Sequence, residues 1–251
     1  MVPLQDITRY CERRLRLEEI EDFPGAVNGL QFENKGLVRR IGAAVDAGME
    51  TFDQAARAGV DLLLVHHGMF WGTPYPVSGI RFQKYRFLLE NNLAVFSAHL
   101  PLDCHDELGN NACLIKNLNL EATGKFLEFK GNCIGFLAEG GIPRTDLKSR
   151  LAQEFPAGII AIEYGSENPE TIAVVTGSGA EAVAELEKAG ADTLVTGEVR
   201  QHTYNQAQEA GINLYLCGHY ATETYGVKAL ATELAQKFSL PWEFIPTACP
   251  L

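Results

Sequence analysis

Ala58-Gly-Val-Asp-Leu-Leu-Leu-Val-His-His-Gly68 and, 131 residues further on, Ala189-Gly-Ala-Asp-Thr-Leu-Val-Thr-Gly-Glu198 read as one pattern written twice. Each copy has a glycine suited to closing a helix, then a short apolar strand, then polar donors at the strand end. Upstream, Ile41-Gly-Ala-Ala-Val45 stands at the same offset from Ile172-Ala-Val-Val-Thr176. Downstream, Asn92-Leu-Ala-Val-Phe-Ser-Ala-His99 resembles Ile212-Asn-Leu-Tyr-Leu-Cys-Gly-His219, with the offset shortened to 120. Helical spacing fills the gaps at residues 3–17, 49–58 and 82–91, and strands are expected at 41–45, 61–65 and 93–98. Short buried strands alternating with helices predict an α/β fold. A self-match of this length predicts two similar α/β lobes, residues 1–125 and 126–251, forming a pseudo-twofold repeat with a metal site between them. The last segment is able to pack back on the first lobe.

Bulk properties narrow the function classes. Hydrophobic residues make up 46% and charged residues 21% of the 251, an ordinary globular balance that supports a real core. The net charge of −11 argues against a broad nucleic-acid footprint, which needs Lys/Arg patches. Arg13, Arg14 and Arg16 are interleaved with Glu12, Glu18 and Glu19, and read as a solvated helix face. The six cysteines, at 11, 104, 113, 133, 217 and 249, contain no C-x-x-C pair, so neither a disulfide framework nor a zinc finger is expected. Charges run through the first twenty residues, unlike a secretory signal, and no apolar run is long enough to span a bilayer. A soluble cytoplasmic protein is the expectation.

Polar residues gather where α/β sheets bind ligands, beyond the carboxyl ends of parallel strands. One strand end carries Val65-His-His-Gly68 and its counterpart Thr196-Gly-Glu198. The next carries His99-Leu-Pro-Leu-Asp103 and its counterpart His219-Tyr-Ala-Thr-Glu223, both His-x-x-x-carboxylate. Gly218 precedes an apolar-periodic run, so a helix opening at His219 is expected, with His219 and Glu223 on one face. Pro101 makes the first copy more loop-like. His66 and His67 point to opposite faces of a regular strand, and at a terminus turning through Gly68 they can splay toward two neighbouring ions. His66, His67, Asp103, His219 and Glu223 together supply −2 against the +4 of two divalent cations. Open coordination positions follow, and imidazole with carboxylate suits zinc, iron or manganese. His105 and His202 lack a paired motif and read as satisfied structural residues. Thr176-Gly-Ser-Gly179 reads as a tight turn in preference to a phosphate cradle, because no Walker or dinucleotide pattern accompanies it. No G-x-S-x-G elbow is present.

Asn28-Gly-Leu30, Val65-His-His-Gly68, Ser97-Ala-His-Leu-Pro-Leu-Asp103, Gly109-Asn-Asn111, Thr196-Gly-Glu198 and Gly218-His-Tyr-Ala-Thr-Glu223 resemble, in order, the motifs of the NIF-three-like family. Members of that family are dinuclear metal proteins that commonly carry the name GTP cyclohydrolase type 2 homologue. The resemblance implies a metal pair at His66, His67, Asp103, His219 and Glu223, with His99 nearby. It also implies two α/β lobes and a toroidal homohexamer. An inserted middle domain found in longer relatives does not fit in this length. The chemistry implied is metal-dependent hydrolysis of a nucleotide-like small molecule, with His99 moving the proton. The competing reading is a metal-trafficking or regulatory protein without turnover. No Lys or Arg falls inside the metal motifs.

Overall fold

The computed structural model describes residues 1–73, 75–247 and 249–250, and the chain divides into two compact units. Unit one comprises Met1–Leu102 and Gly226–Ala248, and unit two comprises Asp103–Tyr225 with the last residues. The boundary thus falls at Leu102, not at 125. The physical reason is the helix Asn110–Asn117, whose Leu114 and Ile115 are buried in the core of unit two. Among the described residues, no helix is long and apolar enough to cross a membrane.

Unit one begins with β1 (Val2–Pro3), α1 (Leu4–Arg14), β2 (Gly29–Phe32) and β3 (Leu37–Val38), where β1 and β3 form a small antiparallel pair. There follow β4 (Ile41–Asp46), α2 (Met49–Arg57), β5 (Leu62–His67), α3 (Gly79–Glu90), β6 (Ala94–Ser97) and the short α4 (Leu100–Asp103). Strands β4, β5 and β6 run parallel, β2 lies antiparallel along β6, and the carboxyl-terminal strand Trp242–Phe244 pairs with β4. Leu62, Leu63, Leu64 and Val65 are all buried, which is why β5 reads as unbroken apolar sequence and not as an alternation. Phe52 and Ala55 on α2 pack against Leu63 and Val65. Burying a side chain the size of Phe52 contributes roughly 1.5–3 kcal/mol. The basic run behaves differently from a purely solvated face. Arg13, Arg16, Glu18 and Glu19 are exposed as a solvated face should be, whereas Arg14 is half-buried and forms an ion pair with Glu233 at 3.0 Å.

Unit two carries α5 (Asn110–Asn117), β7 (Ala122–Phe129), β8 (Asn132–Glu139), α6 (Arg144–Glu154), β9 (Ile160–Glu163), β10 (Thr171–Ser178), β11 (Thr193–Glu198), α7 (Thr203–Ala210), β12 (Asn213–Leu216) and α8 (His219–Thr222). Its sheet runs β7-β8-β10-β11-β12-β9, with β10, β11 and β12 parallel and the rest antiparallel. Ile41 pairs with Leu62 in unit one and Ile172 pairs with Thr193 in unit two, so the offset of 131 governs register as well as sequence. The antiparallel edge strands β2 and β9 share that offset, a repeat element that the sequence reading did not mark. β7 and β8 form a hairpin through Lys130 and Gly131, both at positive φ, as a two-residue turn on a right-twisted ladder requires.

Two local expectations change. Pro101 sits in the first turn of α4, where its missing N–H costs nothing, so that segment is a helical turn and not a loop. The helix opening at His219 stops at Thr222, and a separate helix begins at Thr224. The Thr222 hydroxyl is shared among Gly177 N, Gly218 O and His219 O, which fastens this short turn to β10.

Candidate metal centre

In unit one the donors come from adjacent strand ends. His66 is wholly buried, and its Nδ1 lies 3.0 Å from the Ala98 carbonyl. His67 Nδ1 lies 2.9 Å from Asp46 Oδ1, because β4 ends directly opposite it. His99, two residues past β6, has Nδ1 at 2.9 Å from Asp22 Oδ1. The ring centroids of His66 lie 4.8 Å from His67 and 4.9 Å from His99. One nitrogen from each ring falls within 4.8 Å of the others, a spacing that suits metal ligation. Gly68 lets the chain turn away here, since a Cβ would strike the Gln31 amide and Ser97 Oγ.

Asp22 is the anchor of this half. Burial pushes its carboxyl up, but hydrogen bonds from His99, Asn28 and the Phe23 N–H hold it down at about 2. Asn28 donates to Asp22 and accepts from the His99 backbone N–H, so it sets both partners at once.

In unit two His219 Nδ1 lies 2.9 Å from Glu198 Oε1, and its Nε2 lies 3.2 Å from Oε1 of the buried Glu223. The Glu223 hydrogen bond raises the His219 imidazole to about 9, against a lowering by burial and with further help from Glu198. His219 Nε2 and the Glu223 carboxylate thus face each other as an imidazole–carboxylate pair of the kind that could hold a divalent ion. Gly177 makes the arrangement possible. Its φ is +67°, and a Cβ there would collide with the Glu223 carboxylate and come within 3.2 Å of His219 Nε2. Asp103 is buried and accepts a hydrogen bond from Asn110 Nδ2 at 2.8 Å. Asn111 bridges the Asp103 carbonyl and the Thr176 N–H, which explains the Gly109-Asn-Asn motif as a brace. Among the described residues, Asp103 belongs to no tight group of three ligand atoms.

The donor set fits divalent ions. Metal-ligating histidines nearly always donate the other ring nitrogen to a carboxylate or backbone carbonyl, which fixes tautomer and orientation. His66, His67, His99 and His219 all place Nδ1 on such an acceptor, which leaves Nε2 as the nitrogen that could meet an ion or a proton. His105 does the reverse, its Nδ1 accepting from the Glu107 and Leu108 N–H groups as a structural residue should. Asp22 and Asp46 were missed as orienting groups from sequence, although Asp46 stands one strand over from His67. The Thr176–Gly179 turn uses its Thr176, Gly177 and Gly179 N–H groups within the protein, which removes the phosphate-cradle alternative.

These features define a class first: an α/β protein whose parallel strands end in imidazole and carboxylate donors of the kind that hold divalent ions. The family model Duf34/NIF3 (NGG1p interacting factor 3) matches residues 2–250, and the chain belongs to that family. A Deinococcus radiodurans protein named GTP cyclohydrolase 1 type 2 homolog is 38% identical over 245 residues, covering 96% of this chain and 91% of the relative. A Pyrococcus horikoshii protein of the same name is 40% identical over 243 residues and covered at 96% on both sides. The crystal structure of TTHA1606 from Thermus thermophilus matches with a TM-score of 0.87 at 36% identity over the whole of both chains.

Proposed function

We propose that this protein is a dinuclear, metal-dependent hydrolase acting on a nucleotide-like substrate. His66, His67, Asp103, His219 and Glu223 would hold two divalent ions, of zinc, iron or manganese. The observation that carries the reading is the common orientation of four histidines, each with Nδ1 tethered. Lysine and arginine are absent from the donor groups, so the ions themselves would supply the positive charge and Lewis acidity that hydrolysis requires. His99 is the residue suited to moving a proton. Its Nδ1 is held by Asp22, so its Nε2 can take a proton while the Asp22 carboxylate stabilises the resulting imidazolium. Asn110 orients Asp103, and Glu198 orients His219. A ring-shaped homohexamer belongs to the same proposal, on family membership.

Elemental analysis of protein purified without chelator tests the site, with close to two first-row divalent ions per chain expected. A content fixed at one or below after reconstitution sinks the dinuclear reading. Two ions without turnover on any nucleotide or phosphoester would replace the hydrolase with a metal-carrying protein.

A further inference from the structure

Beside the histidine cluster, unit one contains a pocket of about 230 Å³ walled by Phe70, Trp71, Tyr75 and Tyr85, with Arg81 at its edge. A cavity of about 150 Å³ accommodates benzene, so this one has room for a somewhat larger planar ring. Trp71 is common to the pocket and the cluster, its ring edge-on to His99 with centroids 4.9 Å apart. The indole is fixed by a hydrogen bond from Nε1 to the Gly68 carbonyl. Gly25 forms part of the lining, and its backbone packs so closely on Gly72 that a Cβ at Gly25 would strike that residue.

The charge around the pocket is as telling as its shape. The chain carries −11, yet no carboxylate lines this pocket among the described residues. Arg81 lies over the Tyr75 ring at 4.6 Å and has no carboxylate partner among them. Lys84, one helical turn along α3, donates to the Ala47 carbonyl. Burial and then the Arg81 guanidinium pull the Lys84 ammonium below its ordinary value. A guanidinium in the pocket wall with no carboxylate partner among the described residues favours an incoming anion, and four aromatic side chains favour a π-face.

We propose that this pocket binds a planar heteroaromatic ring carrying an anionic substituent, with the ring stacked on Trp71 and the anion at Arg81. The proposal rests on the hydrolase reading and names the ligand class that its site would take. It also supplies a basic group, Arg81, in a pocket that shares Trp71 with the histidine cluster, where the metal motifs themselves carry none.

Titration calorimetry with GMP, guanosine and ribose 5-phosphate tests it, on metal-replete and chelator-treated protein. In chelated protein the affinity of phosphate for metal does not enter. There GMP should bind more tightly than guanosine by about tenfold or more. Trp71→Ala should weaken GMP and guanosine alike by about tenfold, the usual cost of a lost base–aromatic stack. Arg81→Ala should weaken GMP and leave guanosine unchanged. Trp242→Phe, on the far edge strand of unit one, should change nothing. GMP binding that is absent, or indifferent to both Trp71→Ala and Arg81→Ala, overturns the pocket. If two ions are present and GMP still fails to bind, the pocket alone falls. If metal content stays at one ion or none after reconstitution while GMP still binds, the pocket stands and the dinuclear hydrolase falls.

Discussion

Strands β4-β5-β6-β2 of unit one and β10-β11-β12-β9 of unit two share their order, and β4–β5 and β10–β11 share register until the last residue, and there they part. In unit one Asp46 stands opposite His67 and holds its ring. In unit two the matching position is Gly177, and the ladder slips so that Ser178 stands opposite Glu198. That bulge, with Gly177 at φ +67°, opens the space that Glu223 fills. Glu198 occupies the place of His67 and orients a histidine in its turn. One scaffold thus yields an imidazole-rich end and a carboxylate–imidazole end, through a carboxylate in one copy and a glycine in the other. The apolar register of a repeat sets the scaffold, and the departures from it set the chemistry.

The largest effect should come from the residue that distinguishes proton transfer from ligation. His99→Ala should leave the metal content near that of the parent and lower turnover by roughly 10²–10⁴-fold. Asp103→Ala should instead lose metal. Equal metal loss in both variants would make His99 a ligand and redraw the unit-one end as a three-histidine site, which the ring spacing allows.

Next comes the bulge. Gly177→Ala costs roughly 1–2 kcal/mol in backbone conformation alone, with displacement of Glu223 added. Urea unfolding should register the loss, and elemental analysis should show depleted metal. If Gly177→Ala melts and loads as the parent does, the bulge has no part in the site.

A smaller effect, of the same kind in both units, is expected from the orienting carboxylates. Asp46→Asn and Glu198→Gln should each weaken metal affinity by roughly 10–100-fold without unfolding the chain. Competition with a chromophoric chelator measures this, and a null result in one unit would assign the metal work to the other. The smallest change lies outside the shared core. Gly131→Ala in the β7–β8 hairpin should destabilise by about 1 kcal/mol with metal content intact.

Much of the fold was legible because the parallel strands are buried on both faces and so read as apolar runs at fixed offsets. Leu62–Val65 and its counterpart are examples. The hairpin at 122–139 escaped because strands exposed on one side carry mixed sequence, and Lys130-Gly131 is a weak turn signal. The unit boundary was missed since nothing in composition marks Leu102. Of the site, His66, His67, His219 and Glu223 stood out as polar residues at strand ends. Asp22 could not be read, because it approaches His99 through a loop 77 residues away and is defined by hydrogen bonds alone. Gly177 carried a signal only as a glycine inside a strand, which local sequence shares with any tight turn.

Trp71 has one more consequence. Its indole is pinned to the Gly68 carbonyl, and its ring meets His99 edge-on and lies 6.1 Å from His67. The chain contains two tryptophans, and the other, Trp242, lies in the edge strand beside β4. The protein therefore carries its own optical gauge: emission from Trp71 should shift with each change in charge on the neighbouring imidazoles, while Trp242 serves as the internal standard.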